Sequence, residues 1–290
     1  MAFHWQTFRT RAITAIIFAA VMLAGLLWDH WSFLVLFSII HFGCWWEYFR
    51  LLENIRHTIF HPYTKLGFMV LGYSLVLWFC GPAYRIAGYG LSENFVLPVS
   101  AAGFALLLLG VFQKTPVSLR SFGAAASGVL YLSLSCGMMI DLREVGMVFK
   151  GQTLMMDWGR TLPCGLIVSI WINDTMAYIV GSLIGKTPFS KISPKKTWEG
   201  TIGGAILCVV VIAFAGRATA QYTTMVWIGI AAIAAVIGTM GDLLESKLKR
   251  MAGVKDSGRI MPGHGGFLDR FDSLLLAIPF AWLYVVLTVT

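Results

Sequence analysis

Long apolar runs follow one another along the chain, and short polar segments separate them. A helix needs about 20 residues to cross a bilayer, within a range of ~17–25, so several runs reach that length only with interfacial residues added. The pattern predicts an all-α, polytopic integral membrane protein with about nine transmembrane helices. The nine apolar runs cover Ala12–Trp28, Trp31–Trp46, Leu66–Cys80, Phe95–Phe112, Gly123–Ile140, Leu162–Ile184, Thr201–Ala215, Met225–Leu244 and Leu274–Val289.

The first two runs are predicted to form a transmembrane hairpin. A short basic lead before an apolar run is also typical of a cleaved signal peptide. The second run, however, follows after only Asp29 and His30, and the apolar pattern never gives way to a soluble domain. We therefore interpret both runs as membrane spans.

The composition excludes the soluble class. Charged residues make up 12% of the chain, about half the usual share, and the mean hydropathy is +0.76. The 30 glycines suit close helix packing in lipid. The five cysteines are scattered singly through apolar runs, which indicates small core residues rather than a disulfide framework or a zinc site.

The distribution of charge bears on partners and on orientation. A net charge of +8 favours anionic lipid headgroups or phosphorylated substrates over nucleic acid, and the aromatic residues lie mostly inside apolar runs rather than among the bases. With a cytoplasmic N-terminus and nine alternating spans, 17 of the 22 bases fall on the cytoplasmic side and five fall outside. This asymmetry follows the positive-inside rule, and the odd number of spans predicts a C-terminus on the outside.

The segment from Gly241 to Ser273 is the most polar part of the chain. Ionisable groups crowded at the mouth of membrane spans are costly, so they indicate a functional site. A solvated loop that obeys the positive-inside rule is the alternative, and it would account for the bases but not for acids placed where the flanking spans meet the loop. The segment holds the acids Asp242, Glu245, Asp256, Asp269 and Asp272 and the bases Lys247, Lys249, Arg250, Lys255, Arg259 and Arg270.

The spacing of these acids suits a hard cation. Asp242 and Glu245 lie one helical turn apart at the end of one span, and Asp269 and Asp272 lie one turn apart at the start of the next. Asp242 and Asp269 stand at opposite ends of one loop, so both can reach a single metal centre. Oxygen ligands without a His/Cys cluster favour Mg²⁺. Carboxylates, Mg²⁺ and many bases together are typical of phosphoryl or nucleotidyl transfer.

The glycine-rich stretch from Pro262 to Gly266 gives a flexible backbone that can approach phosphates closely. His264 lies within it. From its position this side chain can bond a phosphate, act as an acid or cap the turn, and the three roles stay open.

A second polar segment runs from Gly185 to Gly200. Ser193 followed by Pro194 is typical of a helix start, with the serine as N-cap and the proline at the first helical position. Lys195 and Lys196 would then occupy the first turn, where cations oppose the helix dipole unless an anion binds there. The pattern indicates phosphate capture; a loop that anchors lipid headgroups is the alternative.

Asp174 interrupts the sixth apolar run beside Asn173. An acid at this depth is expensive in lipid and should face a polar cavity. Tyr178 and Gly181 share its helical face. A functional role is favoured, and a polar contact between helices, which Asn173 could supply alone, is the alternative.

These motifs resemble those of phosphatidate cytidylyltransferases, also called CDP-diacylglycerol synthases. The resemblance covers roughly residues 165–273, and the first 160 residues are similar to the family only in being hydrophobic and multi-spanning. The long signature in this chain reads Ser246-x-Leu-Lys249-Arg250-x4-Lys255-Asp256-x-Gly258-x3-Pro262-x-His264-Gly-Gly-Phe-x-Asp269-Arg270-Phe-Asp272. Three shorter segments also resemble the family: Gly241-Asp242-Leu-x-Glu245, Asn173-Asp174-Thr-x-Ala-Tyr178-x-x-Gly181 and Ser193-Pro-x-Lys-x-Trp-Glu-Gly200.

The resemblance implies a reaction of CTP with phosphatidate that gives CDP-diacylglycerol and pyrophosphate. A phosphatidate oxygen would attack the α-phosphorus of CTP in line, and because this oxygen is already ionised, no strong general base is required. Mg²⁺ held by Asp242 and Asp269 would bridge phosphate oxygens of CTP. The family also suggests K⁺ as a second cation in the site.

The motifs and the resemblance together predict the site residues. They are expected to converge on one wet, cation-loaded hollow that faces the cytosol. Catalytic roles are predicted for Asp174, Asp242, Asp269, Lys249 and Arg250. Substrate-binding roles are predicted for Ser193, Lys195, Lys196, Ser246, Lys255, Asp256, His264, Gly265, Arg270 and Asp272.

The chain is predicted to have two functional parts. Residues 1–161 would form about five spans that serve as a scaffold or for dimerisation, and residues 162–290 would form the catalytic membrane region. CTP, phosphatidate and bilayer lipids are the expected partners, and a homodimer is the family-level expectation. The predicted location is the bacterial inner membrane, with the active site facing the cytoplasm.

Two other functions compete with this interpretation. A transporter of a phosphorylated solute would use a similar basic cavity, but it predicts polar residues across several spans, whereas here acids and bases concentrate on one side. A related CTP-dependent lipid kinase, or a cytidylyltransferase for a different phospholipid, would handle cation and triphosphate in the same way. The residues alone separate such a kinase or cytidylyltransferase poorly from the predicted reaction.

Overall fold

The computed structural model describes residues 5–113, 117–150, 153–190, 192–260 and 265–289. Helices account for most of this part of the chain. A π-helical segment, Val129–Leu134, joins α6 to α7. The helices are α1 (Trp5–Leu27), α2 (His30–Arg56), α3 (Pro62–Trp78), α4 (Leu91–Asn94), α5 (Val96–Val111), α6 (Leu119–Gly128), α7 (Ser135–Glu144), α8 (Thr161–Ile184), α9 (Trp198–Arg217), α10 (Thr224–Met251) and α11 (Leu268–Thr288).

Strands are confined to two short hairpins in the described residues. The first pairs β1 (Arg85–Ile86) with β2 (Tyr89–Gly90) in antiparallel register. The second pairs β3 (Met147–Lys150) with β4 (Thr153–Asp157). Both hairpins lie in connections between apolar helices, so the prediction of an all-α fold is confirmed.

All nine predicted apolar runs fall on helices: α1, α2, α3, α5, the continuous α6–π–α7 segment, α8, α9, α10 and α11. Within the described ranges, six helical segments are both long and apolar enough to cross a membrane, and the protein is therefore a polytopic integral membrane protein. The count of nine spans and the sides of the termini stay predictions. The six segments are His30–Arg56, Leu119–Glu144, Thr161–Ile184, Trp198–Arg217, Thr224–Met251 and Leu268–Thr288.

The break between the first two helices has a local cause. Asp29 is the N-cap of α2, and its carboxylate accepts a hydrogen bond from the backbone N–H of Ser32 at 2.6 Å. The Ser32 hydroxyl in turn accepts from the Asp29 N–H at 3.0 Å, which completes a capping box. A polar residue with extended backbone thus ends one apolar helix and starts the next.

The chain divides into two compact units. The first comprises Met1–Asp141, Lys150–Leu154 and Met251–Phe271, and the second comprises Leu142–Phe149, Met155–Arg250 and Asp272–Thr290. This division follows packing, and the predicted functional division at residue 161 stays a prediction.

The core of the first unit is built around Trp45 on α2. Its ring stacks on Phe49 and Phe68, and its indole N–H donates to the Ser133 hydroxyl at 2.9 Å. Glycine lets α3 and α5 pack closely, because a Cβ at Gly103 would lie 2.6 Å from a backbone atom of the facing helix. The first unit is therefore a helix bundle with an aromatic centre.

Small residues also set the packing of the second unit. At Gly204 a Cβ would lie 2.6 Å from the backbone nitrogen of Ala177, so α8 and α9 come into backbone contact. At Gly241 a Cβ would lie 2.5 Å from the carbonyl oxygen of Asp272, so α10 and α11 do the same. The contact between α10 and α11 brings the acids at the end of α10 close to the acid at the start of α11.

The predicted helix start at Ser193 is wrong. Helix α9 begins at Trp198, and Thr197 is its N-cap, with the threonine hydroxyl accepting from the Gly200 N–H at 3.2 Å. The residues before it are held in a turn and a short bridge: Lys196 N–H donates to Ser193 O at 3.1 Å, and Trp198 N–H donates to Thr187 O at 2.9 Å. These bonds use backbone groups that an earlier helix start would need, so Lys195 and Lys196 precede the helix.

Candidate functional site

Three carboxylates meet where α10 packs against α11. Asp242 and Glu245 project from α10, Asp272 projects from α11, and one oxygen of each lies within 4.8 Å of the others. Glu245 is fully buried, Asp272 is almost fully buried, and the Asp242 side chain is 27% exposed. The cluster therefore opens on one side, at Asp242.

Two lysines offset part of this negative charge. The Lys196 ammonium forms an ion pair with Asp242, and the Lys249 ammonium forms an ion pair with Glu245 one turn along α10. Buried carboxylates without such partners would be strongly destabilising. Because the acids supply only oxygen ligands and lie within a few ångströms of one another, their chemistry fits a hard divalent cation such as Mg²⁺.

Asp174 joins this group from α8. It is an exposed acid that lies close enough to Lys196 and Asp242 to interact with both charges. Gly181, two turns further along α8, packs on Gly200 of α9: a Cβ at Gly181 would lie 3.5 Å from the Gly200 Cα. The second unit thus brings together acids from three helices and a lysine from the loop before α9.

Glu199 organises the loop that carries the predicted phosphate-binding lysines. Its carboxylate accepts from the Thr187 hydroxyl at 2.8 Å and from the Lys186 and Thr187 N–H groups at 3.2 Å. The rings of Phe189 and Trp198 lie 4.5 Å apart and close the same loop. This folding leaves Lys195 exposed, whereas Lys196 is only partly exposed and pairs with Asp242.

Asp269 is held in the first unit by the segment that precedes it. Its Oδ2 atom accepts from the Ser257 N–H at 2.9 Å, the Ser257 hydroxyl at 2.9 Å and the Gly266 N–H at 2.8 Å. Gly265 has φ +85°, and a Cβ there would lie 2.5 Å from the same oxygen. A glycine is therefore required beside this acid, and the predicted sharing of one metal by Asp242 and Asp269 stays a prediction.

The other predicted site residues have simpler surroundings. Ser246 lies one turn from Asp242 on α10, and its hydroxyl donates to the Asp242 carboxylate at 3.4 Å. Of these other residues, Arg250, Lys255, Asp256 and Arg270 are exposed. His264 lies outside the described residues, so its three alternative roles stay open.

Sequence reasoning passed over three acids that the structure makes prominent. Glu245 was not among the predicted ligands, although its spacing from Asp242 places it on the same helical face. Glu199 lies inside a quoted motif without an assigned role. Glu47 is a buried acid in an apolar helix, and the rule that intramembrane acids are functional would have singled it out.

The similarity of this chain to known proteins extends beyond the region that holds the motifs. The model of a family described as the cytidylyltransferase family matches residues 9–288. A phosphatidate cytidylyltransferase of Staphylococcus aureus (strain COL) is 42% identical over 147 residues, which are 50% of this chain and 55% of that protein. One of Staphylococcus haemolyticus (strain JCSC1435) is 45% identical over 196 residues, 67% of this chain and 70% of that protein. The match to this chain therefore spans about half the length of the first of these relatives and 70% of the length of the second.

Proposed function

Because the chain belongs to the cytidylyltransferase family, whose model matches residues 9–288, we propose that it is a phosphatidate cytidylyltransferase. In this reaction a phosphate oxygen of phosphatidate forms a bond to the α-phosphorus of CTP. The bond from that phosphorus to the bridging oxygen breaks, and pyrophosphate leaves with the electron pair. The observation that supports the proposal best is the cluster of Asp242, Glu245 and Asp272, paired with two lysines at the ends of apolar helices.

The acids of this cluster are the residues that would hold Mg²⁺. Asp242 is the most accessible of the three, so it is the proposed direct ligand, and Asp269 remains the second ligand that the family resemblance implies. A bound Mg²⁺ would neutralise phosphate charge and stabilise the charge that develops on the leaving pyrophosphate. A second cation, K⁺, is proposed on the family resemblance alone.

The bases of the chain would bind the phosphates of both substrates. Lys195 is exposed in the loop before α9, and its ammonium is available to a phosphate from the aqueous side. Lys196 already pairs with Asp242, so it would lie between the acidic cluster and a bound phosphate. Lys249 and Arg250 follow on the last turns of α10, and Lys255 lies beyond that helix. Asp174, which lies close to Lys196 and Asp242, would border the same site.

The proposed orientation places this site at the cytoplasmic face of the bacterial inner membrane. The support is the excess of bases in the segments assigned to the cytoplasmic side. Phosphatidate would keep its acyl chains in the bilayer and present its phosphate to the ends of α10 and α11. Since its phosphate oxygen is ionised at neutral pH, the chain needs no strong general base.

A labelling experiment tests the proposal and separates it from the related kinase. Detergent-purified protein is supplied with phosphatidate, Mg²⁺ and CTP that carries ³²P at either the α or the γ position. We expect label in the lipid from α-labelled CTP alone, with release of one pyrophosphate per lipid formed. Lipid label from γ-labelled CTP, with diacylglycerol in place of phosphatidate, would instead establish a kinase. No labelled lipid from either nucleotide would refute both.

A further inference from the structure

Glu47, on α2 of the first unit, is a buried carboxylate. It contacts the part of the signature that runs from Ser257 to the start of α11, which we call the signature segment. Its side chain is 0% exposed. The Oε1 atom accepts from the Phe267 N–H at 3.0 Å, and Oε2 accepts from the Leu268 N–H at 2.9 Å and from the Ser257 hydroxyl at 2.7 Å. All three bonds come from residues more than 200 positions later in the chain, between Ser257 and the first residue of α11.

These contacts suit an ionised carboxylate. The donors are two backbone N–H groups at the start of α11 and one hydroxyl, and each gives a hydrogen to a glutamate oxygen. The first N–H groups of a helix have no partners within the helix, and their dipoles favour a negative charge. Glu47 therefore acts as a cap for α11 that is supplied by a distant helix.

The backbone of the signature segment lies directly on this carboxylate. A Cβ at Gly258 would lie 2.0 Å from Oε1 of Glu47, and a Cβ at Gly266 would lie 2.1 Å from the same atom. One turn earlier on α2, a Cβ at Gly43 would lie 2.6 Å from the Phe267 ring. Helix α2 thus presents Gly43 and Glu47 on one face. Gly258 and Gly266 pack against Glu47, and the Phe267 ring packs against Gly43.

Ser257 connects Glu47 to Asp269. Its hydroxyl lies 2.7 Å from Oε2 of Glu47 and 2.9 Å from Oδ2 of Asp269. The single hydroxyl hydrogen is therefore shared between two acids. The N–H groups of Ser257 and Gly266, which flank the contact with Glu47, also donate to Asp269. Glu47 and Asp269 therefore share the Ser257 hydroxyl as a donor, and neighbouring N–H groups of the same segment orient Asp269.

We propose that Glu47 is a positioning residue for the transfer reaction. It fixes Ser257 and the start of α11, and through them it sets the orientation of the Asp269 carboxylate. This inference rests on the proposed function, because Asp269 acts in that reaction as a predicted metal ligand. It also gives the N-terminal helices a defined task at the site, namely to hold the segment that carries the signature.

The central experiment compares Glu47→Gln with Glu53→Gln in the full-length protein. Glu53 lies on the same helix, pairs with Lys65 at 2.8 Å and accepts from the Phe60 N–H at 2.9 Å, so it is a matched control for loss of one carboxylate. The glutamine amide at position 47 would turn a donor toward groups that are themselves donors. We expect a fall in kcat of about 10- to 100-fold and a higher Mg²⁺ concentration at half-activation, with KM for phosphatidate unchanged.

The Mg²⁺ requirement distinguishes positioning from a merely structural role. A loss of folded protein lowers kcat in proportion but leaves the Mg²⁺ concentration at half-activation where it was. Glu47→Asp keeps the charge on a shorter side chain and should recover part of the activity. Activity near the wild-type level in Glu47→Gln, or a loss matched by the fraction unfolded with an unchanged Mg²⁺ requirement, would overturn the proposal.

A second pair of measurements covers the case in which Glu47→Gln does not fold. Ser257→Ala removes the hydroxyl that joins the two acids and leaves Glu47 in place, and it should raise the Mg²⁺ requirement in the same direction. Hydrogen–deuterium exchange at Phe267 and Leu268 should be faster in Glu47→Asp than in Glu53→Gln. Unchanged behaviour in both measurements would refute the positioning role. Wild-type protein without transferase activity would instead refute the proposed function, while the exchange data would still report on Glu47.

Discussion

Lys196 pairs with Asp242, and this contact joins the loop before α9 to the acidic end of α10. The two residues are far apart in the sequence, and each belongs to a different polar segment. Their pairing places a phosphate-binding candidate against a metal-binding candidate within the second unit. The arrangement suits a substrate whose phosphates contact a cation and a lysine at the same time.

Asp242→Asn should abolish turnover. The substitution keeps the size of the side chain but removes the charge from the most accessible acid of the cluster, and we expect a loss of at least about 100-fold in kcat. The fold should persist, because Glu245 and its partner Lys249 are untouched. Initial rates with labelled CTP and thermal unfolding in detergent provide the two measurements. Glu93→Gln, which removes an exposed acid paired with Arg85, is the control.

Asp269→Asn tests the predicted second ligand. An asparagine oxygen can still accept from the N–H groups of Ser257 and Gly266, so the segment should keep its conformation while the negative charge is lost. Turnover is expected to fall to background, with a melting temperature close to that of the wild type. Near-normal activity in both this variant and Asp242→Asn would show that the metal assignment is wrong.

The two adjacent lysines should behave differently. Lys195 is exposed, so Lys195→Ala should raise KM for CTP by roughly 10-fold, the loss of one charge-assisted contact, and leave kcat nearly unchanged. Lys196→Ala removes the ion-pair partner of Asp242 and should lower kcat as well. Steady-state kinetics with varied CTP separate the two effects. Lys186→Ala, in the same loop, is the control, and unchanged kinetics in Lys195→Ala would assign that lysine to lipid anchoring instead.

The helix start at Thr197 predicts a stability effect. Thr197→Ala removes the hydroxyl that accepts from the Gly200 N–H and should destabilise the protein by about 0.5–2 kcal/mol. Thr197→Ser retains the cap and should stay close to the wild type. Thermal or denaturant unfolding in the same detergent compares the two. Equal stability of the alanine and serine variants would contradict the assigned N-cap.

Local patterns predicted the helices and the pairs of acids, because both depend on short sequence spacing. The nine apolar runs fall on helices, and Asp242 and Glu245 share a face of α10. The predicted start of α9 at Ser193 is wrong because Ser193 and Thr197 are both good N-caps, and hydrogen bonds from Trp198 and Lys196 back to the loop decide between them. Those bonds depend on how the loop folds and leave no periodic signal in the sequence.

Contacts between distant segments could not be predicted from one sequence. Asp272 lies beside the acids of α10 where Gly241 lets the two helices touch. Glu47 and Ser257 are 210 positions apart, and nothing in their local sequences links them. Glu47 stands out in the sequence as an acid within an apolar helix, but its hydrogen-bond partners are evident only from the folded structure.

Gly241→Ala tests whether close packing of α10 and α11 assembles the acidic cluster. A Cβ at this position would lie 2.5 Å from the Asp272 carbonyl oxygen and 3.0 Å from the Ser273 Cα, so backbone atoms would have to move. We expect a loss of stability of about 1–3 kcal/mol, typical of overpacking. Activity should fall together with it, because Asp272 would be displaced from Asp242 and Glu245.

Gly123→Ala is the matched control for this substitution. Gly123 also lies in a helix, α6, but a Cβ there meets nothing within 4 Å. Since alanine favours a helix over glycine by about 1 kcal/mol, this variant should be as stable as the wild type or more so, with full activity. Unfolding curves and initial rates measured side by side decide the matter. If Gly241→Ala matched Gly123→Ala in both, the two helices would not need their close contact, and the cluster of three acids would not depend on it.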